Sequence, residues 1–183
     1  MAVIAYKAFE KGLIATRGKG RYQFSEGINI TEKAHCARCG FHCAEDPLDM
    51  FSYYRDPSTS EYRLVRAQGD IHEDLHDSRI SCTEMYVGRE LTIYEVVLHA
   101  LCYWEKYPER SREDFSLSGY FRLKRGKRPT LSGKKGELLG FAIGDDNKIK
   151  EIGLLYVDGK SILPDTEYDI NGKAKGVKIC LSR

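Results

Sequence analysis

The feature that most constrains the fold is a single long helical period. In LTIYEVVLHALCYWEKYPE, residues 91–109, Ile93, Val96, Val97, Ala100, Leu101 and Trp104 recur at i, i+3, i+4, i+7, i+8 and i+11. Thr92 and Glu95 form a capping box ahead of this stripe and Pro108 closes it, which predicts a helix over about 92–106. Everywhere else the patterns are short and strand-like. VIAYKAF (3–9), EYRLVRAQGD (61–70) and RISCTEMYVG (79–88) are rich in β-branched and aromatic residues, with Tyr62 and Leu64 on one face and Arg63, Val65 and Ala67 on the other. RGKGRYQFSEGINI is interrupted by Gly18, Gly20 and Gly27 and reads as a loop followed by short strands. Beyond the helix, GYFRLKR, ELLGFAIG and the segments around Asp158-Gly159 and Asn171-Gly172 read as strands joined by type I′ turns, a meander of antiparallel strands over 115–183. The prediction is an α+β fold, strand-rich with one principal amphipathic helix. An N-terminal α+β domain at 1–107 and a C-terminal β meander at 115–183 are expected to pack as one unit, with PERSRED (108–114) between them.

Composition agrees with one soluble globular protein: 183 residues, 42% hydrophobic and 31% charged. No apolar run approaches the roughly 18–20 residues of a membrane span, so no membrane association is expected. The N-terminal MAVIAYKAFEKG meets Lys7 and Lys11 too soon for a signal core, and the six cysteines are unevenly spaced, which predicts a cytoplasmic protein with reduced thiols. The net charge of +2 conceals an asymmetry. Residues 43–95 carry a balance of −7, and residues 103–135 one of +6.

Four stretches bear on chemistry. In CARCGFHCAEDPLDMFSYY (36–54), Cys36, Cys39, Cys43 and His42 have knuckle-like spacing, but a structural zinc site draws a second ligand pair from another turn, and Cys82, Cys102 and Cys180 are singletons. We read free buried or half-buried thiols in a turn, with neither a metal nor a catalytic role. Asp46 then caps a short helix from Pro47 that buries Leu48 and Phe51 after a buried Phe41. The stretch GDIHEDLHD (69–77) matches H-E-x-x-H in form, yet its flanks are too short and polar for a zincin helix, and it reads as a solvated acidic loop. Its Asp70, Glu73, Asp74 and Asp77 are candidate partner-binding residues. FRLKRGKRPTLSGKK (121–135) reads as a basic hairpin, whose Arg122, Lys124, Arg125, Lys127 and Arg128 form the second candidate surface, able to touch phosphates or acidic protein. No nucleotide-binding fingerprint occurs, and no cofactor is expected.

Ala5-Tyr6-Lys7-Ala8-Phe9, Gly40-Phe41-His42, Pro47-Leu48-Asp49, Tyr53-Tyr54 and Val87-Gly88-Arg89-Glu90-Leu91 together resemble a family of small phage and prophage proteins over residues 3–105. In function this family is similar to type II anti-CRISPR proteins, which bind the Cas9 effector and prevent its use of target DNA. The resemblance implies a binding protein with Cas9 or its guide RNA complex as partner, acting in the cytoplasm of a host bacterial cell. The run from Gly40 through Tyr53-Tyr54 to Arg63-Leu64-Val65-Arg66-Ala67 also resembles the middle of an ADP-ribosyltransferase. That second likeness implies an NAD pocket lined by Tyr6 and Tyr53 with Glu84 at the catalytic position. The opening strand lacks the His-Gly or Arg with which such enzymes hold NAD. Direct nucleic-acid binding through 122–135 is the third reading.

Overall fold

Two long strands organise the first half of the chain. They are β6 (Ser60–Glu73) and β7 (Arg79–Leu91), antiparallel neighbours in register from Tyr62↔Leu91 to Glu73↔Ile80. This computed structural model describes residues 2–17, 20–36, 38–73 and 77–175. Strand β1 (Val3–Glu10) pairs with β6 over eight residues, from Val3↔Ala67 to Glu10↔Ser60. The other edge of β7 takes β4 (Gly27–Ile30) and β5 (Phe41–Ala44), and the short β2 (Ile14–Ala15) and β3 (Tyr22–Gln23) extend the sheet beyond β1.

The sheet closes on itself. Strand β6 pairs with both β1 and β7, while β5 pairs with β7 and also touches β1 at Tyr6↔Ala44, so β1, β6, β7 and β5 form a ring. Closure removes exposed strand edges within the ring and turns one face of each strand inward. Ala5, Phe9, Val65, Ala67, Met85, Val87, Cys82, Phe41 and Cys43 fill that interior with Leu13 and Phe24.

Two compact units divide the chain at 96/97. The boundary falls inside α1 (Ile93–Lys106), whose stripe Val96, Val97, Ala100, Leu101 and Trp104 is fully buried as its period requires. The second unit holds a four-stranded sheet in the order β11 (Ile149–Tyr156), β10 (Leu138–Gly144), β9 (Phe121–Gly126), β8 (Asp114–Leu117). The fold is thus α+β, strand-rich and mainly antiparallel with one principal helix. Among the described residues no helix is long and apolar enough to cross a membrane.

Three expectations need correction. Residues 69–73 are strand rather than loop, because Ile71 packs on the ring interior and Asp70 N–H donates to Thr83 Oγ1 at 2.9 Å. The basic segment is not a hairpin: β9 and β10 run parallel, from Phe121↔Leu138 to Gly126↔Ile143, so residues 127–137 form a crossover. Buried Glu137 anchors it by accepting from Gly119 N–H, Lys134 N–H and Arg122 Nε. Finally, Gly159 and Gly172 alone adopt positive φ in their turns, since the Asp158 and Asp169 carboxylates cap the turn amides and relieve Asp158 and Asn171 of a type I′ conformation. Among described residues beyond 156 only isolated bridges remain, at Tyr168 with Leu131 and Ala174. Cys180 and the rest of the expected last strand lie outside the described residues.

Candidate functional site

The cysteine-rich stretch folds as a turn. His35 and Cys39 bridge through paired main-chain bonds of 3.0 Å, and the chain then enters the ring at Phe41. Asp46, in extended conformation, accepts from Leu48 N–H at 2.8 Å and starts the 3₁₀ helix Pro47–Ser52, which buries Leu48 and Phe51. Its Asp49 carboxylate accepts from Ser78 Oγ at 2.6 Å, which ties this helix to the start of β7.

Closing the ring brings together groups far apart in sequence. Cys43 on β5 and Cys82 on β7 are buried, and Lys7 on β1 donates to His42 O at 2.6 Å while lying over the Phe9 and Phe24 rings. Cys82 Sγ donates to Phe41 O at 3.5 Å, and the Cys43 thiol bonds Cys82, which pushes Cys43 well up with burial adding to it, and draws Cys82 down. Burial lowers Lys7 to about 8, against the pull of the two thiols. Burial, then the Lys7 charge, also lowers His42. The strand alternation that puts Ala5 and Phe9 inward already placed Lys7 on the inner face, but Cys82 as its neighbour depended on ring closure. Enclosed thiols of this kind are poor nucleophiles toward outside reagents, so the cluster is an internal polar network. Cys102, expected among the buried or half-buried thiols, is exposed on α1, because it falls one position past the buried stripe; Cys39 is exposed in the turn. Among the described residues no three His, Cys, Asp or Glu side chains converge as a metal site.

The expected charged residues separate into committed and available ones. Asp70 and Glu73 stand exposed at the far end of β6, with no ion pair among the described residues, whereas Asp77 is held by Arg79 at 2.6 Å. Asp74 lies outside the described residues. In the second unit Arg122 pairs with buried Glu137, and Arg125 is fixed by Pro108 O, Ser111 Oγ and Asp146. Lys124, Lys127 and Arg128 are exposed and carry no such bond among the described residues. Two residues of the NAD reading, Glu84 and Tyr6, stay apart. Glu84 is exposed on β7 opposite Gln68, and Tyr6 lies opposite Leu64, four residues further along β6, about 13 Å. The Tyr53 hydroxyl accepts from Arg79.

With this geometry in view, comparison with protein families matches residues 3–99, more than half of the chain, to the family described as Domain of unknown function (DUF7666). The chain belongs to this family. The DUF7666 stretch contains the whole ring, the lysine–thiol cluster, Asp70, Glu73 and the start of α1, while the four-stranded sheet with Lys124 and the crossover with Lys127 and Arg128 lie beyond it. No curated protein and no solved structure matches the chain.

Proposed function

We propose that this protein acts by binding rather than by catalysis, as an inhibitor of the Cas9 effector in the manner of a phage-encoded type II anti-CRISPR protein. The observation that carries the binding reading is the presence of exposed charges without ion pairs among the described residues, of opposite sign, on or beside ordered strands: Asp70 and Glu73 in one unit, Lys124, Lys127 and Arg128 in the other. Exposed charges that are not already paired are free to meet opposite charge on a partner, and they steer encounter. Cas9 presents a cationic nucleic-acid channel, which the acidic end of β6 suits, and guide RNA offers phosphates to the basic surface. Mixing the purified protein with a Cas9–guide RNA complex is expected to give a salt-sensitive complex and slower target cleavage. Asp70→Lys with Glu73→Lys should abolish both, and the absence of a complex with unchanged cleavage overturns the reading.

A second reading, an ADP-ribosyltransferase-like enzyme, draws on the exposed carboxylate of Glu84. Labelled NAD supplied with a bacterial lysate tests it: transfer that disappears in Glu84→Gln supports it, and no transfer removes it. Nucleic-acid binding through Lys124, Lys127 and Arg128 would instead give a gel shift with a steep salt slope.

A further inference from the structure

Strand β4 ends the seven-stranded sheet. One of its edges pairs with β7, and no strand pairs with the other among the described residues. Thr31 N–H donates to Thr83 O at 2.8 Å, so the antiparallel alternation turns the main-chain groups of Gly27 and Asn29 toward β7 and those of Ile28 and Ile30 toward the open edge. The side chains of these two residues are also outside the core, 62% and 68% exposed. Natural edges are blunted by charge, Pro, bulges or shortness; Gly-Ile-Asn-Ile is short, at four residues, but has no charge, Pro or bulge within it. The edge is nevertheless held firmly: buried Asn29 donates to Ser25 O and Gly27 O and accepts from Ser25 N–H.

Charge selects the occupant. Exposed Glu32 flanks the strand at one end and exposed Glu84 lies opposite Ile30; at the other end Glu26 is exposed but accepts from Arg63 Nη1 at 2.8 Å, so the acidic character is strongest at the Glu32 end. A second copy paired symmetrically about Asn29 would set Glu26 against Glu32 twice, and like charges facing each other destabilise a strand pair. Lys or Arg at those places would meet opposite charge. We propose that the β4 edge is a docking site for an extended segment of a partner protein, with apolar residues in alternation between flanking Lys or Arg, which adds to the sheet as a further strand. The site is independent of the Cas9 reading, since neither Asp70, Glu73 nor the basic strand takes part in it.

Two synthetic peptides test the site, Lys-Thr-Val-Thr-Val-Thr-Lys and Glu-Thr-Val-Thr-Val-Thr-Glu, each titrated into the full chain while amide hydrogen exchange is followed by NMR. The Lys-flanked peptide is expected to slow exchange at Ile28 and Ile30 by on the order of tenfold, and the Glu-flanked peptide to leave it unchanged. Glu32→Lys with Glu84→Lys, both at exposed positions, should reverse the preference. No slowing at Ile28 and Ile30, or equal slowing by both peptides, overturns the proposal. Slowing that rises with protein concentration alone also overturns it and assigns the edge to a second copy.

Discussion

Lys7 is the residue whose environment departs most from its chemistry. Its ammonium sits against two phenyl rings and a single carbonyl, and burial brings its value from 10.5 to about 8. Between those limits the unfolded chain binds the extra proton, so stability should rise as pH climbs from about 8 to about 10.5. The full shift corresponds to about 3 kcal/mol, an upper bound because the side chain keeps partial access to water. Thermal melts across that range should show the rise in the natural protein and a flatter course in Lys7→Met; parallel curves would show that other groups produce it. Gly69 is constrained by space as well as by φ. It sits at +72° in the irregular part of β6, where a Cβ would lie 2.1 Å from Thr83 Oγ1. Gly69→Ala should therefore destabilise by about 1–3 kcal/mol in chemical denaturation and free the Asp70 amide to exchange.

Among the elements, those governed by local rules were legible in the sequence. The capping box forms as spaced, with Glu95 Oε2 accepting from Thr92 N–H at 2.9 Å and Glu95 N–H donating to Thr92 Oγ1 at 3.2 Å. The Thr92 amide, with Arg89 and the Thr92 hydroxyl, lowers Glu95 to about 2. The cap's contribution is thus complete above about 4.5 and lost as pH falls through 2, and an NMR titration of the Glu95 carboxyl should show a midpoint near 2. The 3₁₀ helix followed from Asp46-Pro47 in the same way. Phe51 and Phe41 are 2% and 6% exposed, so replacing either with Ala should cost about 3–5 kcal/mol, against about 1 kcal/mol for Asp46→Ala. Equal losses in urea titrations would mean that Asp46 does more than cap. Elements that depend on distant partners could not be read. Nothing within GDIHED reveals that Thr83 will bond Asp70 and extend β6, and nothing within FRLKRGKRPT shows that Glu137 will gather a crossover around itself.

At the scale of the whole molecule, the strand-rich α+β class was legible because strand alternation and helix period differ, whereas ring closure was not, because it joins Tyr6 to Ala44 and Ala67 to Val3 across long stretches of chain. Helix α1 starts in one unit and ends in the other, and Leu101 lies against Gly140 of β10. A fragment of residues 1–107 lacks that strand, so its helix should fray from the C-terminal end, seen as lost ellipticity and a red-shifted emission from Trp104. The ring also sets a timetable for synthesis. Strand β1 pairs with β6 residues 50 to 64 positions later in the chain, which at roughly 5–20 residues per second leave the ribosome about 3–13 s after it. During that interval the long edge of β1 that β6 will cover, and the inward faces of Ala5 and Phe9 with it, wait for their main partner, so the nascent chain is at its most dependent on chaperones before β6 appears.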